Sequence, residues 1–97
     1  MSSFIEKQEE YIKRKIQECG YEVDEVTLNV SSRKEFGDYQ YNGAMAMAKK
    51  YGKNPREIAT DIVESIKKDN IYKDINIAGP GFINITFSDE QLINHLN

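Results

Sequence analysis

The chain has 97 residues, 39% apolar and 30% charged, enough for one small globular domain with a thin core. Its 13 basic and 16 acidic side chains leave a net charge of −3, which argues against strong general affinity for nucleic acid, because that affinity depends on neutralising phosphates. One cysteine, Cys19, excludes an internal disulfide and suits a reducing cytoplasm; no apolar run approaches the ~20 residues of a membrane helix, and Met1–Lys7 lacks the basic start and apolar stretch of a secretory signal.

Ser3 and Glu6 have capping-box spacing, so a first helix is expected from about Ser3 to Cys19. Ile5, Ile12, Ile16 and Cys19 fall near one of its faces, and Gly20 suits the left-handed residue that ends it. Val26-Thr27-Leu28-Asn29-Val30 alternates strictly, which predicts a half-buried strand with Val26, Leu28 and Val30 inward. Ser31 to Asp38 is polar and reads as a loop; Tyr39 to Tyr41 is a short extended piece that pairs with the first strand.

The Ala/Met run predicts a closely packing helix from about Gly43 to Tyr51, stopped by Gly52. Asn54 caps the next helix, with Pro55 in its first turn and Glu57 at the capping-box position. Ala59, Ile62, Val63 and Ile66 form its buried stripe. Ile75-Asn76-Ile77 and Ile83-Asn84-Ile85-Thr86-Phe87 alternate on either side of Gly79-Pro80-Gly81. They predict an antiparallel hairpin with Ile75, Ile77, Ile83, Ile85 and Phe87 on the core face. Ser88 and Gln91 start a last helix, Asp89 to about Leu96, whose apolar side is Leu92, Ile93 and Leu96. The order of elements predicts an α+β, two-layer fold: an antiparallel β-sheet with helices packed on one face.

Catalytic chemistry is missing. His95 is the only histidine and is the third residue from the end, so there is no nucleophile–base set. One Cys and one His cannot supply a zinc site, and Gly79-Pro80-Gly81 lacks the Gly-Lys-Ser/Thr of a phosphate loop. No catalytic and no metal-binding residue is assigned.

Binding chemistry is present. Phe36, Tyr39 and Tyr41 stand beside Gly37, Asp38, Gln40 and Asn42, the mix that recognises a splayed RNA base: rings to lie against, short amides and carboxylates to bond its edge. Arg33 and Lys34 are placed to reach phosphates. Other readings stay open. Tyr39 and Tyr41 are equally sheet residues, and Asn42 stands where an N-cap belongs. Arg33, Lys34, Lys49, Lys50, Lys53 and Arg56 form either a local basic face or a solvated mixed surface.

Three phrases occur in fixed order: Phe36-Gly37-Asp38-Tyr39-Gln40-Tyr41-Asn42-Gly43 with the Ala/Met helix after it, Asn54-Pro55-Arg56-Glu57-Ile58-Ala59, and Ala78-Gly79-Pro80-Gly81-Phe82-Ile83-Asn84. Together they resemble the N-terminal additional domain of arginyl-tRNA synthetase, a class I aminoacyl-tRNA synthetase, over nearly the whole chain. The resemblance implies a domain over residues 1–88 that binds the D-loop at the corner of tRNA(Arg), with 89–97 a connector helix toward a catalytic domain. It places RNA contacts around Phe36 and Asp38 first, then Gln40 and Tyr39, with Asn42, Arg33 and Lys34 in support. The family's His-Ile-Gly-His and Lys-Met-Ser-Lys-Ser signatures are absent, so the chain alone is expected to be inactive and to hold no cofactor, ATP and Mg belonging to the full-length enzyme. Its expected setting is the cytoplasm, with no membrane partner. The alternative is a small α+β protein–protein interaction module that uses exposed tyrosines and the last helix.

Overall fold

The computed structural model describes residues 3–96, with side chains described as far as residue 93, so the side chains of His95 and Leu96 lie outside the described ones. Helix α1 spans Phe4–Glu18. Ser3 Oγ accepts the Glu6 N–H at 3.1 Å and Glu6 Oε1 accepts the Ser3 N–H at 3.2 Å, so the expected capping box forms. Ile12 and Ile16 are its buried pair, with Ile5 and Cys19 packed at the margin.

The next segment joins the sheet later than its alternation suggests. Val26 and Leu28 are buried, but residues 23–28 are held by α1: Lys13 Nζ donates to the Asp24 carbonyl at 2.8 Å, and Glu9 Oε2 accepts the Leu28 N–H at 2.8 Å. Only Asn29–Val30 pairs as a strand, β1. Val30, expected inward, is 74% exposed. Its register opposite Tyr39 puts it on the helix-bearing face, but β1 is the outer strand there, with Val30 largely uncovered.

A 3-10 turn at Lys34–Phe36 leads to β2, Tyr39–Tyr41. Helix α2 follows at Ala44–Tyr51 and ends on Gly52, whose φ of 62° is left-handed. Gly43, not Asn42, occupies the N-cap, and no side chain caps this helix. Helix α3 spans Pro55–Lys67. Asn54 Oδ1 accepts the Arg56 N–H at 2.8 Å, while the Glu57 N–H goes to the Asn54 carbonyl rather than to the cap side chain. Ile58, Ala59, Ile62, Val63 and Ile66 form its buried stripe, each large aliphatic worth roughly 1.5–3 kcal/mol when fully buried.

Strands β3 (Asp74–Ala78) and β4 (Phe82–Thr86) form the expected hairpin. Helix α4, Asp89–Leu96, has a reciprocal start, with Ser88 Oγ accepting from Gln91 N–H and Gln91 Oε1 accepting from Ser88 N–H. The sheet is four-stranded and antiparallel, in the order β1-β2-β4-β3. Tyr39, Tyr41, Ile75, Ile77, Ile83 and Ile85 share the face that the helices cover. The fold is therefore α+β, with helices on one side of the sheet. Among the described residues, no helix is long and apolar enough to cross a membrane.

Candidate nucleic-acid interface

The three sequence phrases, far apart along the chain, meet in space. Gly81, at φ +141°, runs so close to α3 that a Cβ there would lie 3.1 Å from both the Cβ and the carbonyl oxygen of Pro55. The Arg56 guanidinium donates to the Gly79 carbonyl and ties the hairpin turn to the start of α3. At the other end of β4, Gly37 presses on the strand. A Cβ on Gly37 would stand 2.8 Å from the Ile85 carbonyl oxygen, and its φ of +87° also favours glycine. Asp38 N–H donates to that carbonyl at 2.8 Å, and Asp38 Oδ2 accepts the Phe87 N–H at 2.9 Å. The loop carrying Phe36 is thereby clamped to the sheet.

Beside this loop, on the face without helices, lies a row of amides. The register sets Asn29 opposite Gln40, Gln40 opposite Asn84, and Asn76 opposite Asn84. Gln40 Nε2 donates to Asn84 Oδ1 at 2.8 Å, Asn84 Nδ2 to Asn76 Oδ1 at 3.1 Å, and Asn76 Nδ2 to Asp74 Oδ2 at 2.7 Å. Asn84 is 2% exposed, the one buried polar residue of the described chain; its neighbours Gln40 and Asn76 remain accessible. An amide so buried is costly unless bonded, and here both its oxygen and its nitrogen have partners. Exposed amides held in a fixed row offer donors and acceptors in a plane suited to a base edge.

Phe36 is 37% exposed at the end of the 3-10 turn, with Lys34 and Arg33 exposed beside it. Arg33 Nη1 sits 3.3 Å from Glu35 Oε1, a solvent-exposed pair that is easily exchanged for another anion. Asp38 is exposed but partly committed to the Phe87 N–H. Tyr39 faces the helix side, its ring 5.6 Å from that of Phe87, so it braces the sheet beneath Gln40. Asn42 stands apart, past the end of β2 beside Tyr41 and Gly43. Phe36, Asp38 and Gln40 are thus brought to one region with Arg33 and Lys34, while Tyr39 lies behind it and Asn42 to one side. Sequence reasoning missed Asn84 and Asn76. Their place midway between inward isoleucines in alternating strands was the available signal.

Three of the other central cations are engaged elsewhere, Arg56 on the Gly79 carbonyl as described. Lys53 Nζ donates to Tyr21 Oη at 3.0 Å and lies over that ring, and Lys50 lies over the ring of Tyr51. Of the six tyrosines, Tyr21, Tyr41 and Tyr72 are buried and Tyr11, Tyr39 and Tyr51 half-buried, so a protein interface resting on tyrosines has only the partly covered three to use.

The family described as "Arginyl tRNA synthetase N terminal domain" matches residues 6–87. The chain belongs to this family. Arginine–tRNA ligase of Alteromonas mediterranea is 49% identical over 79 residues, which is 81% of this chain and 14% of that protein. Its counterpart in Colwellia psychrerythraea is 49% identical over 70 residues, 72% of this chain and 12% of that protein. The solved arginyl-tRNA synthetase of Plasmodium falciparum superposes with a TM-score of 0.83 at 25% identity, covering 99% of this chain and 18% of that one. The Thermus thermophilus enzyme shares the fold, at a TM-score of 0.76. The chain therefore spans a small fraction of these relatives, and the matched region contains all three phrases that converge on β4.

Proposed function

We propose that this member of the family serves an arginine–tRNA ligase by holding the D-loop at the corner of tRNA(Arg), while a catalytic domain outside these residues performs arginylation. The observation that carries the reading is the junction of the Phe36 loop with the amide row on the helix-free sheet face. Phe36 supplies an apolar platform for one base. Gln40 and Asn76 offer amide edges, their orientations fixed by Asn84 between them. Arg33 and Lys34 take phosphates and set the register. Asp38 holds the loop and leaves one carboxylate oxygen to accept a base or ribose proton. Tyr39 supports the sheet from behind, and Asn42 borders the region.

On this reading the adenylate chemistry, with ATP and magnesium, belongs to the catalytic domain, and the complex works in the cytoplasm, where tRNA is charged. Residues 1–88 form the binding unit. Helix α4 is the connector, and its Leu92 and Ile93, 40% and 57% exposed, contact the rest of the enzyme. The same exposed pair favours the second reading, a protein–protein module. A salt titration of tRNA(Arg) binding separates the two. Phosphate contacts give an affinity that falls steeply with salt and is weakened by Gln40→Ala and Asn76→Ala. A flat salt response, with affinity unchanged in both variants, would overturn the tRNA reading.

A further inference from the structure

The amide row has a direction, and on the tRNA reading that direction decides which groups the site shows to a base. Its hydrogen bonds all run the same way. Gln40 donates to Asn84, Asn84 to Asn76, and Asn76 to Asp74, at 2.8, 3.1 and 2.7 Å. The amides do not choose this direction themselves. A carboxamide carries an acceptor at one corner and donors at the other, with nearly the same shape. Turned over together, Gln40, Asn84 and Asn76 would make the same bonds to one another in reverse. Asn84, 2% exposed, would be satisfied either way. Asn29, opposite Gln40 on the outer strand, is another amide and imposes no direction.

Asp74 does impose one. A carboxylate accepts and cannot donate, so Asn76 turns its Nδ2 toward Asp74 Oδ2. Asn76 Oδ1 then faces Asn84 and takes its Nδ2, which leaves Asn84 Oδ1 for Gln40 Nε2. The bond to the carboxylate is charge-assisted, the stronger kind, so the row is anchored at that end. The consequence appears at the other end. With the row running toward Asp74, Gln40 keeps Oε1 and one N–H free of the row. In the reverse direction Oε1 would be taken by Asn84, and only N–H groups would remain. We propose that Asp74 is a positioning residue for RNA recognition. Acting through Asn76 and Asn84, and on the tRNA reading, it sets Gln40 to present an acceptor beside a donor. Gln40 then matches a base edge that carries a donor beside an acceptor, and rejects an acceptor-only edge such as N7 and O6 of guanine.

The test compares Asp74→Ala with Asp74→Asn in the 97-residue chain. Both remove the same charge, and only Asn keeps an acceptor. Asp74 is exposed, so both variants should fold, and the backbone amide spectrum of each reports whether it does. NMR couplings across the hydrogen bonds, measured without RNA, link each donor nitrogen to its acceptor carbon and so read the direction of the row. The parent should show couplings from Gln40 to Asn84 and from Asn84 to Asn76. In Asp74→Ala these should fall to about half as reversed rows appear, and in Asp74→Asn they should lie between.

Binding is then measured at fixed salt against tRNA(Arg) transcripts that each carry one replaced D-loop base. For the parent, replacing the contacted base should raise Kd roughly tenfold. In Asp74→Ala that penalty should largely disappear, and in Asp74→Asn it should be intermediate. A carboxylate acting by charge alone would give a different pattern: both variants alike, tighter on every transcript, with the penalty unchanged. That pattern, or parent-like couplings in Asp74→Ala, overturns the proposal. If no replaced base matters to the parent, the tRNA reading fails instead, and the couplings alone decide whether Asp74 directs the row.

Discussion

Asp38 Oδ2 accepts the backbone N–H of Phe87 at 2.9 Å, joining the loop that carries Phe36 to the first residue beyond β4. A carboxylate that sequence reasoning assigned to RNA thus has a structural task as well. Asp38→Ala should cost about 1–2 kcal/mol, the low end for a hydrogen bond to a charged group because the site is exposed. Asp38→Asn keeps an acceptor and should cost less. Urea unfolding measures both. Stabilities equal to the parent in both variants would show that the backbone bonds of the loop suffice without the carboxylate.

Phe36→Ala, made in the full-length enzyme, should weaken tRNA binding or the charging transition state by ~1–3 kcal/mol, the range for losing one base–aromatic contact. Folding should stay nearly intact, because the residue is 37% exposed and outside the core. Lys34→Ala should give a smaller, sequence-independent loss and a shallower salt slope. An unfolded Phe36→Ala variant, with unchanged affinity per folded molecule, would move the RNA site away from this loop.

Helix α3 supports two comparisons. Asn54→Ala removes the acceptor for the Arg56 N–H and should cost ~1 kcal/mol. Ile62→Ala, at a position 0% exposed, should cost ~2–5 kcal/mol. Thermal or urea unfolding should rank the two in that order.

Asp69 gives a pH-dependent prediction. Tyr11 Oη donates to its carboxylate at 2.5 Å and Lys15 Nζ lies 3.0 Å away, and these hydrogen bonds, Tyr11 first, hold its pKa below the ordinary carboxylate value. A carboxyl with a depressed folded pKa contributes its full stability above its unfolded pKa and loses it as pH falls through the folded value. Asp69→Asn should therefore lower stability at neutral pH and flatten the acid limb. Urea midpoints between about pH 7 and about pH 3 measure this. Parallel curves for parent and variant would count against the Tyr11–Asp69 bond in solution.

The legible parts of the fold were those governed by local chemistry. Ser3 with Glu6, Asn54 with Pro55, and Gly79-Pro80-Gly81 each determine their own backbone, so α1, α3 and the hairpin appear where spacing puts them. Val30 failed because alternation reports which face a residue takes, not whether anything covers that face at the sheet edge. Asn84 was missed for a related reason. Its partners Gln40 and Asn76 come from two strands, one of them 44 residues away, and no local pattern encodes that meeting. Asn42 looked like a cap, but the chain turns into α2 one residue later, at Gly43. In the candidate site, residue type was readable and company was not: Gln40 meets Asn84, and Asp38 meets Ile85 and Phe87, through a strand whose neighbours in space are set by tertiary pairing.

The strand order β1-β2-β4-β3 places the last strand made between the second and the third. As the chain leaves the ribosome, β2 therefore has no inner neighbour until Phe82–Thr86 emerges, and β4 completes both flanks when it arrives. Until then the edges of Tyr39–Tyr41 and Asp74–Ala78 that β4 will pair with stay open to other chains. A ribosome that stalls before Phe82 would hold a nascent chain without the keystone of its sheet, and the interval before β4 is synthesised is when this domain is most open to capture by chaperones or to misassembly.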